Sequence, residues 1–459
     1  MEASYDAIII GTGQAGPPLA TRLAAGGMKV AVIEQGKFGG TCVNNGCIPT
    51  KTLVASAYAA HSARRAAEYG VDIGAPVQVD MPRVKARKDD ISGRSNRGVE
   101  SWMRGLANGT VYVGHARFTG PKTVCVNHDL LSADRIFINV GGRPLVPDMP
   151  GLDLVPHLTN VSMMDIDFLP EHLLVIGGSY VGLEFGQMYR RFGSRVTIIE
   201  MGPRLIGRED EDVSRAVHEI LQQEGIGLRL DAECLSLAKD RAGIAVNLKC
   251  ASGASKEVGS HVLLAVGRVP NTDDLGLDAA GIQIDRRGYV VVDEALRTTN
   301  PNVWALGDCN GKGAFTHTSY NDYEIVADNL LNGSRRKWTD RVTAYALFID
   351  PPLGRVGMTE AEAKRAGIPA LAAKRPMTRV ARAVEKGEAA GFMKVVVDAR
   401  NQRILGAAIL GTGGDEVVHS LLDVVYAGLP YTAVQRGVRI HPTVSELIPT
   451  LLGDLQPLA

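Results

Sequence analysis

Short apolar runs alternate with glycine-rich turns and longer amphipathic stretches along the chain. Tyr5-Asp6-Ala7-Ile8-Ile9-Ile10 is an apolar run of strand length, and Gly11-Thr12-Gly13-Gln14-Ala15-Gly16 follows at once. A small-residue stretch to Ala25 comes next, then a second apolar run at residues 30–33 that ends on Glu34. This order predicts strand, glycine turn, helix, strand and acid. The pattern recurs. Residues 173–176 predict a strand, Gly177-Gly178-Ser179-Tyr180-Val181-Gly182 a turn, residues 183–192 a helix, and residues 196–199 a strand ending on Glu200. Two further runs, 136–140 and 263–266, lead into Gly141-Gly142-Arg143-Pro144 and Gly267-Arg268-Val269-Pro270. Their likeness predicts two crossovers, where the chain leaves a first domain and returns to it. Toward the C-terminus, strands are expected at 354–357 and 392–397, with helices near 360–366 and 415–427.

Each repeat has a chemical use. Glycines let the backbone approach a pyrophosphate at a helix N-terminus, where the amide dipoles favour negative charge. An acid closing the second strand stands where a ribose hydroxyl needs an acceptor, which gives Glu34 and Glu200 that role. Ser179 replaces the central glycine of the second copy and is still small. Two such units imply two dinucleotides, or one dinucleotide and a flavin dinucleotide. A third signal is Asn300-Pro301-Asn302-Val303-Trp304-Ala305-Leu306-Gly307-Asp308, a short strand ending on an acid that can accept from a ribityl chain. A Gly-Asp pair is also common in plain turns.

At 459 residues the chain is too long for one core. Its 50 basic and 50 acidic side chains cancel, which argues against a nucleic-acid or membrane-surface partner. The apolar runs are strand-length, well short of the ~20 residues that span a bilayer. No leader pattern opens the chain, so a cytoplasmic location is expected.

Six cysteines occur, Cys42, Cys47, Cys125, Cys234, Cys250 and Cys309, and only the first two lie close together. Their segment is Gly39-Gly40-Thr41-Cys42-Val43-Asn44-Asn45-Gly46-Cys47-Ile48-Pro49-Thr50-Lys51. Residues five apart in a regular helix sit ~8 Å or more apart, and a disulfide needs Cα atoms within ~7 Å. The pair therefore belongs on a distorted or just-forming helix start, a place that also favours a thiolate. A zinc half-site or two buried thiols are the alternatives. Zinc wants two further Cys or His ligands, and none is near in sequence. Near the C-terminus, Ile440-His441-Pro442-Thr443-Val444-Ser445-Glu446 places an acid where it can orient a histidine and raise its basicity.

Taken together, residues 4 to about 455 resemble the class I pyridine nucleotide–disulfide oxidoreductases, which include dihydrolipoamide dehydrogenase, glutathione reductase and mercuric reductase. The resemblance rests on the fingerprint at Gly11, the segment Gly40-Thr41-Cys42 to Cys47, the fingerprint at Gly177, Gly307-Asp308 and His441-Pro442. It implies an α/β fold of two Rossmann-like three-layer nucleotide-binding domains and an α+β C-terminal dimerisation domain. FAD would take residues 1–150 and 267–340, the nicotinamide nucleotide 151–266, and the dimer interface 341–459. Gly11, Gly13, Gly16, Glu34, Gly40, Thr41, Gly141, Gly267, Gly307 and Asp308 would serve FAD and its joints. Gly177, Ser179, Tyr180, Gly182 and Glu200 would serve NAD(H), with NADP(H) as the alternative nucleotide.

The same resemblance implies that Cys47 lies against the flavin, that Cys42 meets substrate, and that the two form a redox-active disulfide. Lys51 and Glu184 match the ion pair beside the flavin, and Tyr180 the aromatic cover. His441 and Glu446 would work at the disulfide of the other subunit of a homodimer. Phe315-Thr316-His317-Thr318-Ser319 and Thr50-Lys51-Thr52-Leu53-Val54 depart from the dihydrolipoamide dehydrogenase pattern. They resemble mercuric-reductase-like and copper(II)-reducing members instead, yet the C-terminal Cys-Cys that delivers mercury is absent. The expected activity is NAD(P)H-linked thiol–disulfide exchange on a small disulfide or dithiol or a lipoyl-carrying protein. The rivals are metal-ion reduction and a catalytically poor FAD-binding redox sensor or complex subunit.

Overall fold

The computed structural model describes residues 2–249, 253 and 255–458; Cys250 lies outside the described residues. A seven-stranded sheet runs in the order Gly109–Val113, Val30–Glu34, Glu2–Ile10, Asp129–Ile138, Thr123–Val126, Ala116–Gly120, and Val303–Ala305 adds to it against Asp129–Ile138. Its parallel strands end in register, with Ile10 opposite both Ile33 and Ile138, and Ile138 opposite Ala305. The glycine turn after Ile10, Glu34, the joint after Ile138 and the turn at Gly307-Asp308 therefore leave one sheet edge together. That edge, outside the carboxyl ends of parallel strands, is where open α/β sheets bind ligands. Residues 7–10 and 30–33 are buried without alternation, as expected of strands covered on both faces.

A second, all-parallel sheet of five strands repeats the arrangement: Gly227–Arg229, Arg195–Ile199, His172–Ile176, His261–Leu264, Leu158–Thr159. Ile176 stands opposite Ile199 and Leu264, so the second glycine turn, Glu200 and the second joint also share an edge. The two joints pair with each other, Gly142–Pro144 running antiparallel to Arg268–Pro270 with Val269 opposite Arg143. The helix after the second turn is Tyr180–Phe192, three residues longer at its start than the periodicity predicts. Tyr180, Val181 and Gly182 are thus its first turn and not part of the loop.

The C-terminal part builds a six-stranded sheet, Ala344–Leu347, Leu353–Gly357, Ile404–Leu410, Phe392–Asp398, Ala370–Pro376, Gln456–Pro457, whose ladders are all antiparallel. Parallel sheets with crossover helices, followed by an antiparallel sheet with its own helices, make the chain α/β with an α+β end, as the sequence implies. Among the described residues, no helix is long and apolar enough to cross a membrane.

Candidate active site

The first cradle is set by steric necessity. Gly11 has φ +103°, and a Cβ there would stand 2.3 Å from the Asn139 carbonyl oxygen. A Cβ on Gly16 would meet the Gly11 carbonyl oxygen at 2.3 Å, so helix Gly16–Ala25 can start this close to the strand only at glycine. Its N-cap residue makes no side-chain bond and its first turn holds no acid, so beyond the Gly16 N–H, which Asn139 takes, its N-terminal amides are left to an anion. Glu34 accepts from the Thr12 N–H at 2.9 Å, the Thr12 hydroxyl at 2.6 Å and the Gly36 N–H at 2.8 Å. A carboxylate has about four acceptor positions, so capacity for a ribose hydroxyl remains.

The second cradle matches it feature by feature. Gly177 has φ +116°, and its Cβ would be 2.4 Å from the Ala265 carbonyl oxygen. A Cβ on Gly182 would meet the Gly177 carbonyl oxygen at 2.0 Å. Glu200 accepts from the N–H groups of Gly178 at 2.5 Å and Gly202 at 2.7 Å. Ser179, at the helix start, makes no capping bond with its side chain. At the joints, Gly141 and Gly267 have φ +64° and +131°, and nothing lies within 4 Å of a Cβ placed on either. Both line the cavity described below, so a side chain there would enter it.

Asp308 sits in the turn Gly307–Asn310, and Gly307 has φ +76°. Burial pushes its carboxyl upward, and Arg268, 3.7 Å away, works against that shift. The turn is fixed from beneath by Asp322, which accepts from the Gly307 N–H at 2.8 Å and the Asn310 amide at 2.9 Å.

The cysteines lie on two helices, not one. Cys42 is within Gly40–Asn44, and Cys47 opens Cys47–Arg64. The break at residues 45–46 brings together two side chains that a continuous helix would hold apart. Both sulfurs are free thiols in hydrogen-bond contact with each other. The proton belongs to Cys42, whose thiol is pushed far up by its bond to Cys47 and by burial. Cys47 is pulled down to about 6, first by the Cys42 hydrogen bond, then by the Thr316 hydroxyl 3.1 Å away and the Lys51 charge; burial opposes them. Cys47 is therefore the thiolate at neutral pH.

Lys51, one turn further along the same helix, donates to Glu184 at 2.8 Å, and the other Glu184 oxygen accepts from the Phe348 N–H at 3.0 Å. The segment is seated on the first cradle: a Cβ on Gly40 would stand 2.9 Å from the Gly13 Cα, and Gln14 donates to the Gly39 carbonyl at 3.2 Å. Thr41 accepts from Arg268 at 3.3 Å.

One cavity of about 2480 Å³ joins these parts. Both glycine turns, Glu34, Glu200, Cys42, Cys47, Lys51, Glu184, Tyr180 and Asp308 line it. Pockets for a single small ligand are about 300–1,000 Å³. The two glycine cradles, the uncapped helix starts and this volume fit two dinucleotides meeting at the sulfur pair. His441 is elsewhere. Its Nδ1 is 2.7 Å from Glu446, and both line a separate cavity of about 430 Å³ with Arg379, Arg439 and Pro449. Within one chain the structure does not bring this pair to the cysteines.

Comparison with known proteins defines the class. The family model "Pyridine nucleotide-disulphide oxidoreductase" matches residues 5–322, and that family's dimerisation domain matches residues 343–452. The chain belongs to the class I pyridine nucleotide–disulfide oxidoreductase family. It is accordingly a FAD-dependent oxidoreductase that uses a pyridine nucleotide and carries a dimerisation domain.

Among its relatives is the probable pyridine nucleotide-disulfide oxidoreductase RclA of Escherichia coli, 35% identical over 98% of this chain and 99% of that protein. A mercuric reductase of Streptomyces lividans is 33% identical over 97% and 94%, and a dihydrolipoyl dehydrogenase of Thermus scotoductus is 33% identical over 96% and 95%. The solved Cu(II) complex of the HOCl-induced flavoprotein disulfide reductase RclA superposes with TM-score 0.89 at 34% identity, covering 98% of this chain and 99% of that one.

Several residues that shape the site were not legible as such. In the sequence Thr316 stands out only as part of an unusual segment. Asn139 accepts from the Gly16 N–H at 3.0 Å and donates to the Leu306 carbonyl at 3.0 Å, clamping the first cradle to strand Val303–Ala305. Its place directly before a glycine joint was the available signal. Phe348, under the Lys51 ammonium at 4.5 Å from its ring centre, carried none.

Proposed function

We propose that the protein is an NAD(P)H-linked thiol–disulfide oxidoreductase whose working pair is Cys42 and Cys47. The observation that supports it best is the placement of Cys42 and Cys47 on one cavity with both glycine cradles, the Cys42 thiol pushed up and the Cys47 thiol pulled down by their contact. FAD, when bound, supplies the two-electron exchange between the nicotinamide and the sulfurs. Gly11, Gly13, Gly16, Glu34, Gly40, Thr41, Gly141, Gly267, Gly307 and Asp308 would hold it. Gly177, Ser179, Gly182 and Glu200 would hold the nicotinamide nucleotide, with Tyr180 covering the flavin until that nucleotide arrives. Glu200 favours NAD(H), because a carboxylate repels a 2′-phosphate. Arg204, close enough in sequence to Glu200 to turn toward a 2′-phosphate, donates to the Gly207 carbonyl at 3.0 Å.

In this reading Lys51 stabilises negative charge beside Cys47, and Glu184 holds Lys51 in place. Cys42 is the sulfur that exchanges with a dithiol or disulfide. Glu446 orients His441 through Nδ1, leaving Nε2 to take or return the substrate proton at the cysteines of the partner subunit in a homodimer. The chain divides into FAD (1–150, 267–340), nucleotide (151–266) and interface (341–459) parts.

Metal-ion reduction is the second reading, favoured by the likeness to RclA in its Cu(II) complex. Among the described residues of the single chain no group of three or more His, Cys, Asp or Glu could hold a metal ion. Proton accounting separates the readings. Thiol exchange moves protons at sulfur, and a positioned base is worth ~10²–10⁴-fold; reduction of a thiolate-bound metal ion needs no such base. His441→Ala is expected to lower lipoamide or glutathione disulfide turnover by that factor, with FAD content and metal-driven NADH oxidation retained. A wild-type protein inactive on every disulfide and brisk on copper(II) or mercury(II) would transfer the assignment to the second reading.

A further inference from the structure

The Cys47 sulfur stands at the starts of two long helices. Cys47 opens Cys47–Arg64, of 18 residues. Its sulfur also makes a hydrogen bond, at 3.1 Å, with the hydroxyl of Thr316, which opens Thr316–Leu331, of 16 residues. A helix start carries about half a positive charge, so both favour an anion between them.

The second helix start is held firmly. The Phe315 N–H donates to the Thr318 hydroxyl at 3.2 Å, and that hydroxyl donates back to the Phe315 carbonyl at 2.7 Å. His317 donates through Nε2 to the Ala344 carbonyl at 2.8 Å. Within a helix, a threonine hydroxyl turns to a carbonyl of the preceding turn. Thr316 is the first helical residue and has no such turn behind it, so its hydroxyl is available to the sulfur. Lys51 acts on Cys47 through its charge, because its ammonium donates to Glu184 at 2.8 Å.

Electron counting fixes which partner donates. In dithiol oxidation a substrate thiolate, its proton passed to the base, attacks the Cys42 sulfur of the disulfide. The substrate–Cys42 bond forms, the Cys42–Cys47 bond breaks, and the electron pair leaves on Cys47. The second substrate thiolate then closes the substrate disulfide and expels Cys42, which takes up a proton. Between the two steps Cys47 is a thiolate and can only accept, so the Thr316 hydroxyl donates. In that interval Cys42 is bonded to the substrate and has no proton to offer.

We propose that the Thr316 hydroxyl is a catalytic donor, which stabilises Cys47 as the sulfur expelled from the disulfide while Cys42 is bonded to substrate. The inference rests on the reading of Cys42 as the exchanging sulfur.

Dithiothreitol serves as the probe, because it reduces an accessible disulfide by the same exchange. In the FAD-loaded dimer, stopped-flow growth of the long-wavelength thiolate-to-flavin band reports the expulsion of Cys47. Thr316→Val keeps the branched side chain and removes only the hydroxyl. It should slow that growth about tenfold or more, as loss of one hydrogen bond to a charged group predicts. The pH midpoint of the band should rise by about one unit, the same factor in the thiolate equilibrium. Thr316→Ser should stay within about twofold of wild type in rate, with its midpoint unmoved. FAD content should be equal in all three, and Thr316→Ala repeats the test if valine displaces FAD.

Wild-type rate and midpoint in Thr316→Val, or a loss that Thr316→Ser shares, overturns the proposal. Slower growth with an unmoved midpoint also overturns it, since that marks a shifted helix and not a lost donor. Cys42→Ser tells which premise failed. If it shows the band without reductant while Thr316→Val behaves as wild type, the cysteine assignment stands and the donor falls. If neither Cys42→Ser nor wild type with dithiothreitol gives a band, the reading of the cysteine pair falls, and the donor with it.

Discussion

The two glycine cradles are copies in backbone and differ in how firmly they are tied down. In the first, Asn139 bonds the helix start to Leu306, and the Thr12 hydroxyl, which donates to Glu34, also accepts from the Gly39 N–H at 3.2 Å. The cysteine segment is seated on Gly13. In the second, Ala265 takes the place of Asn139 beside the turn and Gly178 that of Thr12, and Ser179 is exposed. The Tyr180 ring, at the start of its helix, meets Tyr345 of the C-terminal sheet edge-on. A clamped site suits a resident cofactor, and an open site suits a nucleotide that must leave each cycle. In the proposed reading the same supersecondary unit thus serves two kinetic tasks, through what is packed around it.

Substitution at the paired first glycines should break the comparison most visibly. Gly11→Val places a branched side chain where a Cβ alone would be 2.3 Å from the Asn139 carbonyl, and the purified protein should be colourless, with FAD absent by absorbance. Gly177→Val makes the equivalent clash at 2.4 Å but should remain yellow, with kcat/KM for NADH down roughly 100-fold, about 2.7 kcal/mol. A colourless Gly177→Val would erase the proposed division of labour.

The cysteine segment belongs to the clamped copy, so its spectrum reports on the flavin side. One equivalent of NADH should raise a long-wavelength thiolate-to-flavin band. Cys47→Ser should abolish it, and Cys42→Ser should show it without reductant. Because the Cys47 thiol is lowered to about 6, the band should persist above that pH and fade as protonation removes the thiolate below it. A band indifferent to both substitutions would place the pair away from the flavin.

Smaller effects should test the open copy. Glu200→Ala should cost NADH about tenfold in kcat/KM, near 1.4 kcal/mol, and narrow the gap to NADPH, with FAD content unchanged. A roughly tenfold preference of the wild type for NADPH would overturn the assignment of Glu200. The central positions should respond least, and unequally. Ser179→Gly should change NADH kinetics by no more than about twofold, because the serine is exposed, its side chain makes no capping bond, and glycine keeps the backbone as open to a nucleotide. Gly13→Ser should weaken FAD retention, since a Cβ there already meets the Asn139 side-chain oxygen at 3.0 Å.

Much of this was legible along the chain because it depends on local rules. Buried parallel strands read as unbroken apolar runs, and glycines at fixed offsets mark where backbone must pass backbone, so Gly11, Gly16, Gly177 and Gly182 could be found without a structure. Glu34 and Glu200 followed from strand length. The spacing of Cys42 and Cys47 already required a broken helix, and the break at residues 45–46 supplies it. Helix Tyr180–Phe192 starts three residues before the periodicity predicts, because a Tyr-Val-Gly triplet looks the same in a turn as in a first helical turn.

What the sequence by itself determined was the class of unit and its repetition, since those depend on residues within a few positions of one another. Tertiary structure alone added to what the neighbouring Cys42 does to the Cys47 thiol: the Thr316 hydroxyl, 269 positions away, lowers it further, and Lys51 acts against Glu184. It alone decided that Asn139 clamps one cradle while Ala265 stands at the same place in the other, and that the Tyr180 ring meets Phe315 and Tyr345 from distant parts of the chain. Hydrogen bonds and charges act over a few ångströms of space, whatever the distance along the chain, and no local pattern records them.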